Sequence, residues 1–169
     1  SRDNTRCALL KKDRSNAFNE AEANAFLNTA CRRMPGCARL AEWCYGESSN
    51  LVYNGPLLKT SEEGQQGCPL MMPMFCAMTQ KMRDRIPEVA DLDFAADFAD
   101  DGVDGGDCDT VLKVLEREIA LGPEYGLRNN YSKMVVYPLA GHMFSRDLAR
   151  FVELGIQKDY SGNVKFMQV

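Results

Sequence analysis

The chain has 169 residues, 45% hydrophobic and 26% charged, so its composition can support a buried core and is not that of a disordered chain. Seven cysteines without a Cys-x-x-Cys pair, and a single histidine, make a zinc site an unfavourable interpretation. They predict a reducing intracellular location, nuclear or cytoplasmic rather than secreted. No apolar run reaches the length of a membrane span, and the first residues lack the pattern of a signal peptide, so no membrane partner is expected.

The net charge of −4 is unfavourable for a nucleic-acid partner, but its distribution is uneven. Residues 91–109 contain eight Asp and no Lys or Arg, whereas the first forty residues contain eight Lys or Arg against four Asp or Glu. A metal site beside a path for phosphates would have this pattern, and so would a patchy surface. The chain lacks an initial Met and ends at 166–169 in an apparent mid-strand run, so we expect a fragment of a longer protein.

The first predicted elements are a strand and two helices. The apolar run at 7–11 predicts a short buried strand. Cap-competent residues at 15–19 predict the start of a helix that continues to about Arg33, because Pro35-Gly36 follows it. A second short helix is expected at about 37–45.

A hairpin and a methionine-rich helix follow. Residues 51–53 and 57–59 predict two strands joined by Asn54-Gly55-Pro56. The loop at 61–69 contains glycines that allow close approach of a ligand to the backbone. The helix at about 69–85 carries a methionine stripe, which indicates a core-facing side.

The central feature of the chain is Phe98-Ala99-Asp100-Asp101-Gly102. Adjacent ionised carboxylates repel each other, so a fold tolerates them best where a cation or water shares the site. We expect Gly102 to let the backbone reverse tightly. The pattern permits two interpretations, an acidic surface turn or a divalent-metal site at the tip of a hairpin, with hard oxygen ligands that suit magnesium.

The remaining elements complete the order of a mixed fold. Asp107 or Asp109 is expected to cap a helix that ends at Gly122-Pro123, and a β-prone run occupies 134–137. Residues 141–169 predict further strands and turns. The order predicts a single domain of the α+β class, in which an antiparallel sheet carries helices on one face.

Four motifs between residue 7 and about 137 occur in the order found in reverse transcriptases. They are Asp13 with Asn16-Ala17-Phe18-Asn19, similar to D-x-x-x-A-F-(D/N); Gln65 to Leu70, similar to Q-G-(D/C/S)-P-L; Phe98 to Asp101, the (Y/F)-x-D-D box; and Gly126 to Lys133, similar to G-L-x-x-N-x-x-K. The chain therefore resembles the palm of a reverse transcriptase, closest to those encoded by non-LTR retrotransposons.

The resemblance implies an RNA-directed DNA polymerase palm with a ferredoxin-like core over residues 1–169. Its motif-bearing part would be about 7–137, and 138–169 would begin the primer-grip region, with fingers and thumb largely missing. The implied reaction transfers a nucleotide from a dNTP to a DNA primer 3′-hydroxyl on an RNA or DNA template. Because duplex grip comes from the missing fingers and thumb, we expect the isolated fragment to be inactive.

The resemblance also implies a catalytic centre with two Mg²⁺ ions, or Mn²⁺ in their place. Two-metal phosphoryl transfer needs carboxylates that hold ions roughly 3.5–4 Å apart. Asp13 and Asp100 would be the main ligands, with Asp101 beside them and the Arg14 carbonyl as an extra oxygen. Lys133 would offer a proton or a positive charge to the leaving pyrophosphate. The local alternatives are a helix-capping role for Asp13 and an ordinary surface lysine at 133.

The implied nucleotide-binding residues are Arg14, Asn16, Ala17, Phe18, Gln66 and Gly67. Phe18 would lie under the incoming sugar and exclude a ribose 2′-hydroxyl, and the alternative is a core aromatic on a helix face. The amides of Asn16 and Ala17 would suit triphosphate oxygens. Gln66 and Gly67 would line the nucleotide and template, and the alternative is an ordinary polar loop.

Four charged residues depart from the family pattern. Lys12 and Arg14 stand where apolar residues are usual, and Asp97 and Asp104 where small or apolar ones are usual. In a strand, Lys12 and Arg14 point away from Asp13 and toward the core, where an unpaired charge costs several kcal/mol. We therefore expect marginal stability, improved by Leu or Val at positions 12 and 14.

Two other functions compete with an active reverse transcriptase. One is a decayed retroelement copy that keeps the fold without the activity. The other is the palm of an RNA-dependent RNA polymerase, which is disfavoured because those enzymes typically carry Gly-Asp-Asp and a polar residue where Phe18 stands.

Overall fold

The structure is a computed structural model that describes residues 6–15, 17–47, 49–52, 55, 57–60, 68–139 and 148–161. The chain divides into two compact units. The described parts of Ser1–Arg14, Ile86–Glu118 and Asn129–Val169 form the sheet unit. Those of Ser15–Arg85 and Ile119–Arg128 form the helical unit.

The described elements alternate between helices and strands. In chain order they are β1 (Cys7–Asp13), α1 (Ala17–Glu20), α2 (Ala23–Arg33), α3 (Ala38–Tyr45), β2 (Ser49–Val52), β3 (Leu57–Thr60), α4 (Met71–Arg83), β4 (Phe94–Phe98), β5 (Asp101–Asp107), α5 (Cys108–Leu121), β6 (Val135–Pro138), α6 (Ala149–Glu153) and β7 (Gln157–Lys158). Single 3₁₀ turns occupy Pro35–Cys37, Pro87–Asp91 and Gly122–Tyr125. Among the described residues, no helix is long and apolar enough to cross a membrane.

The sheet unit contains a five-stranded sheet in the order β4-β5-β1-β6-β7. The central strand β1 pairs antiparallel with both β5 and β6, whereas β7 runs parallel to β6. The sheet is therefore mixed, and the prediction of a wholly antiparallel sheet is wrong. The physical reason is α6, which the sequence analysis did not predict: parallel neighbours need a crossover connection, and α6 lies between these two strands in the chain.

One face of this sheet is buried and the opposite face is more open. Along β1, Ala8, Leu10 and Lys12 are buried on one face, whereas Lys11 and Asp13 on the other face are partly exposed; Leu9, on that other face, is also buried. This alternation follows from the two-residue period of a strand. The buried side of α5 belongs to the same core, and its Glu118 contacts Lys12.

Asp107, one of the two capping residues that the sequence predicts, caps the N-terminus of α5. The Asp107 carboxylate accepts hydrogen bonds from the amides of Asp109 and Thr110, at 3.0 and 3.4 Å. Asp109 instead pairs with Arg6 at the surface. The predicted stop at Gly122-Pro123 is confirmed by the 3₁₀ turn that follows α5.

The helical unit has its own hydrophobic core. The methionine stripe of α4 lies in it, since Met71, Met74, Met78 and Met82 are buried as the sequence predicts, whereas Met72 is exposed. The hairpin of β2 and β3 is confirmed as an antiparallel pair, but it forms a separate two-stranded sheet. Residue 53, predicted to end the first strand, and the predicted turn residues 54 and 56 lie outside the described part of the chain.

The predicted continuous helix from 15–19 to Arg33 is wrong, because the chain breaks at Ala21 and Glu22 between α1 and α2. Glu22 caps α2 by accepting a hydrogen bond from the Ala25 amide at 2.7 Å. Its own amide donates to the Tyr125 carbonyl at 3.1 Å. Gly126 adopts a φ of +68° beside this break, where a Cβ atom would approach the Glu22 nitrogen to 2.7 Å. A side chain at 126 would therefore collide with the break.

Candidate metal and active site

The carboxylates of the candidate site come together at one end of the sheet. Asp13, the last residue of β1, pairs across the ladder with Asp101, the first residue of β5. Paired residues of neighbouring strands project from the same face, so both carboxylates lie on the open face. The amide of Arg14 donates to the Asp100 carbonyl at 3.1 Å, which holds the turn between β4 and β5 beside the end of β1.

The reversal between β4 and β5 is made by Ala99 and Asp100, not by the glycine that the sequence suggested. Ala99 has a φ of +54°, a left-handed conformation that a residue with a Cβ atom adopts at some cost. Gly102 lies within β5, where an added Cβ would come within 2.8 Å of Lys12 Cε and would also collide with the Asp97 carboxylate. Gly102 therefore leaves room for the lysine side chain.

The pKa of Asp13 reflects both its partial burial and the charged and polar groups around it. The pKa of Asp13 is raised, first by desolvation and then by repulsion from Asp101 and Asp100. The charge of Lys133 and a hydrogen bond from the Asn130 side chain act in the opposite direction and lower the pKa. The Asn130 amide also donates to the Asp13 carbonyl at 2.9 Å. Asp101 thus lies opposite Asp13 in the strand pairing, and Asp100 and Lys133 are near enough to act electrostatically on the Asp13 carboxylate.

The chemistry of this group suits a divalent cation, because carboxylate oxygens are the ligands that Mg²⁺ prefers. The three carboxylates carry three negative charges and the nearby Lys133 one positive charge, and their mutual repulsion is what a cation would relieve. Among the described residues, however, no three His, Cys, Asp or Glu side chains are arranged closely enough to hold a metal ion as they stand. Side chains of this group would have to reorient around an ion.

On the buried face beneath these carboxylates lies a second charged group, which we call the buried ion cluster: Lys12, Arg14, Asp97, Asp104 and Glu118. The Lys12 ammonium lies 2.8 Å from Asp104, 3.0 Å from Glu118 and 3.3 Å from Asp97. Lys12 and Asp104 have side-chain exposures of 1% and 0%. Lys12 and Arg14 do point into the core, as predicted, but the assumption that their charges are unpaired is wrong.

Arg14 joins this cluster to the turn. Its Nη1 donates to the Ala99 carbonyl at 3.3 Å, and its Nη2 lies 3.8 Å from the Asp97 carboxylate. The side chain is buried on the face opposite to Asp13. Any contact of Arg14 with a metal or a nucleotide would therefore come from its backbone.

The other predicted nucleotide-binding residues belong to the helical unit or are not described. Phe18 is half-buried and packs on Phe75 with ring centroids 4.9 Å apart, a contact that favours the alternative of a core aromatic. Ala17 begins α1, which is a single turn, and its side chain is buried. Asn16, Gln66 and Gly67 lie outside the described residues, so their roles stay predictions.

Two residues of the site were not singled out from the sequence. Asn130 contacts Asp13, and its position within the fourth motif was the signal that could have found it. Glu118 lies 106 positions from Lys12, and no local pattern connects the two. Its one available signal was a carboxylate on the apolar side of an otherwise regular helix.

The fold that carries this site is reverse-transcriptase-like, since the chain is similar to solved structures of telomerase, a reverse transcriptase. The structure of apo telomerase from Candida tropicalis truncated from the C-terminal domain matches with a TM-score of 0.57 and 16% identity, over 77% of this chain and 30% of that one. Telomerase from Candida albicans in complex with a TWJ fragment of telomeric RNA matches with a TM-score of 0.58 and 13% identity, over 78% of this chain and 28% of that one.

The corresponding Candida tropicalis complex gives a TM-score of 0.58 at 14% identity, over 80% of this chain and 27% of that one. No protein-family model and no curated protein sequence matches the chain. The chain spans less than a third of the length of these telomerases. At such identities the likeness concerns the fold alone, and it is compatible with a palm-like fold.

Proposed function

We propose that this chain is the catalytic palm of an RNA-directed DNA polymerase of a retroelement. The observation that carries the proposal is the pairing of Asp13 with Asp101 beside Asp100, which sets three carboxylates at one strand end of a reverse-transcriptase-like fold. The four sequence motifs support the same assignment, and the RNA in two of the telomerase structures supports a nucleic-acid partner. The non-LTR origin rests on the motifs.

In this proposal Asp13, Asp100 and Asp101 would hold two magnesium ions, with the Arg14 carbonyl as a further oxygen. When bound, the ions would activate a primer 3′-hydroxyl and neutralise charge on the triphosphate. Asn130 orients the Asp13 carboxylate by donating a hydrogen bond to it. Lys133 would offer a proton or a positive charge to a pyrophosphate leaving group.

The template would be RNA or DNA, and fingers and thumb supplied by the longer protein would hold the duplex.

The test is primer extension with Mg²⁺ and dNTPs by the protein encoded by the full reading frame that contains this chain. We expect extension that Asp100→Asn abolishes and that Asp109→Asn, an exposed carboxylate outside the site, leaves unchanged. Absence of extension by a folded full-length protein would favour the decayed copy.

The role of Phe18 has a separate test. If Phe18 lies under the incoming sugar, Phe18→Ala in the full-length protein raises ribonucleotide relative to deoxyribonucleotide incorporation. Phe75→Ala removes its ring partner and serves as the matched control. An equal ratio in wild type and Phe18→Ala would leave Phe18 as a core residue.

A further inference from the structure

Both neighbours of Asp13 in the chain reach from β1 to β4 through the buried face. Lys12 contacts the Asp97 carboxylate at 3.3 Å, and Arg14 approaches the same carboxylate at 3.8 Å. Asp97 is the penultimate residue of β4, immediately before the strand end that leads into the turn. Contacts of Lys12 and Arg14 with Asp97 thus connect the end of β1 to β4, the strand that leads to Asp100. These contacts lie on the sheet face opposite to the Asp13 carboxylate.

Arg14 holds the turn at two points. Its backbone amide donates to the carbonyl of Asp100, and its guanidinium donates to the carbonyl of Ala99. These are the two residues that make the reversal. Ala99 has the left-handed φ of +54°, a conformation that persists in a non-glycine residue where the surroundings over-determine it. The two hydrogen bonds from Arg14 supply such a constraint.

We propose that Arg14 is a positioning residue that, together with Asp97, clamps the Ala99–Asp100 turn to the end of β1 and so keeps Asp100 and Asp101 beside Asp13, from where the three side chains can reorient around a divalent cation. This inference rests on the proposed function. It assigns to the buried side chain of Arg14 a role toward the cation that is separate from the role of its carbonyl. It also explains why a charged residue can stand here: an apolar side chain of the kind usual in the family could not donate to the turn.

If Arg14 clamps the turn, its loss should reduce hydrogen-exchange protection near the turn and leave distant amides of the sheet unchanged. Loss of the guanidinium frees the turn, so the amides at position 14 and at Asn130, which bond to Asp100 and Asp13, lose protection from hydrogen exchange. The Leu139 amide bonds to Cys7 at the far end of β1 and would not change. A residue that only stabilised the fold would alter all three amides together.

The experiment compares Arg14→Met, Arg14→Lys and the control Arg150→Met, which removes an exposed arginine paired with Glu116 and Glu153. Mn²⁺ is the probe, added alone to the 169-residue chain and followed by its paramagnetic resonance, with hydrogen exchange measured in parallel without metal. Loss of a group that hydrogen-bonds a metal ligand typically lowers affinity about 10–100-fold. The Arg14 guanidinium bonds the Ala99 carbonyl beside the ligand Asp100 and not a ligand itself, so we expect a loss at the lower end of that range for Arg14→Met, a smaller one for Arg14→Lys, and none for Arg150→Met.

Local loss of protection combined with weakened Mn²⁺ binding would support the clamp. Wild-type Mn²⁺ affinity in Arg14→Met, while Asp13→Asn loses the ion, would overturn the clamp and leave the proposed function standing. Failure of the wild type to bind Mn²⁺ would overturn the proposed metal site itself. If Arg14→Met does not fold, Arg14→Lys decides, because it keeps the charge and lacks the planar fork that reaches both the Ala99 carbonyl and Asp97.

Discussion

Two groups of carboxylates lie on opposite faces of one sheet, and they differ in what balances their charge. On the buried face, Asp97, Asp104 and Glu118 surround Lys12, and Arg14 lies beside Asp97. Three negative charges meet two positive ones there.

On the open face, Asp13, Asp100 and Asp101 have Lys133 as the cation that acts on Asp13, and the pKa of Asp13 is raised. The protein supplies two cations for the three carboxylates of the buried group and one for the three of the open group, so the open group keeps the larger net negative charge. The difference distinguishes a largely compensated cluster from the proposed cation site.

The largest effect is expected from Lys12→Leu. Removing one partner of a buried ion pair typically costs roughly 3–5 kcal/mol, because the remaining carboxylates stay in the core without this ammonium. Urea unfolding at neutral pH measures the change, with Arg6→Leu as a control that removes an exposed pair and should have little effect. This reverses the expectation from sequence that an apolar residue at position 12 stabilises the chain. A Lys12→Leu variant at least as stable as the wild type would restore that expectation.

The second test removes three of the five charges of the buried ion cluster together. Replacement of a buried ion cluster by apolar residues of similar volume is often neutral or stabilising, by about 1–4 kcal/mol. We therefore expect Lys12→Met with Asp104→Leu and Glu118→Met to regain the stability that Lys12→Leu loses. A triple variant as unstable as the single one would mean that packing, and not charge, dominates at this position.

The third test concerns Asp13 on the open face. Its raised pKa means that the folded state disfavours the ionised form, so Asp13 favours folding at low pH and this contribution is lost as the pH rises through its pKa. Asp13→Asn should therefore increase stability at neutral pH in metal-free buffer. The gain should vanish below about pH 4, near the usual pKa of an aspartate. A loss of stability at neutral pH would contradict the assignment.

The smallest expected effect is the salt dependence of stability, which should differ between variants on the two faces of the sheet. Exposed charges are screened on the scale of a Debye length, about 10 Å at ~0.1 M and about 3 Å at ~1 M salt, whereas buried pairs are screened much less. Added NaCl should shrink the gain from Asp13→Asn and leave the cost of Lys12→Leu nearly unchanged. Equal salt dependence of the two variants would remove the contrast between the faces.

The sequence predicted what local pattern determines. The apolar run of β1 and the methionine face of α4 lie where periodicity placed them, and the predicted hairpin around Asp100 forms, although Ala99 and Asp100 make its turn. The motifs single out the three carboxylates because each belongs to a short segment, and their role stays a prediction. The antiparallel direction assumed for the end of the sheet failed, since β7 follows a helix that no strong pattern announced.

The pairing of the buried charges could not be predicted, because it depends on contacts between distant parts of the chain. Lys12, Asp97 and Asp104 each depart from the family pattern, but the sequence does not show that they lie together. Their compensation depends on tertiary pairing with Glu118, a distant residue on α5. Gly102 was likewise assigned to the turn, because the lysine side chain that needs its space comes from another strand.

Mn²⁺ binding to the 169-residue chain is the most direct measurement of the central claim, that the open-face carboxylates form a divalent-metal site. We predict that the wild type binds Mn²⁺ in competition with Mg²⁺. Asp13→Asn and Asp100→Asn should each lose this binding, whereas Asp109→Asn, an exposed carboxylate beyond β5, should keep it. No binding by the folded wild type, or an equal loss in Asp109→Asn, would contradict the claim.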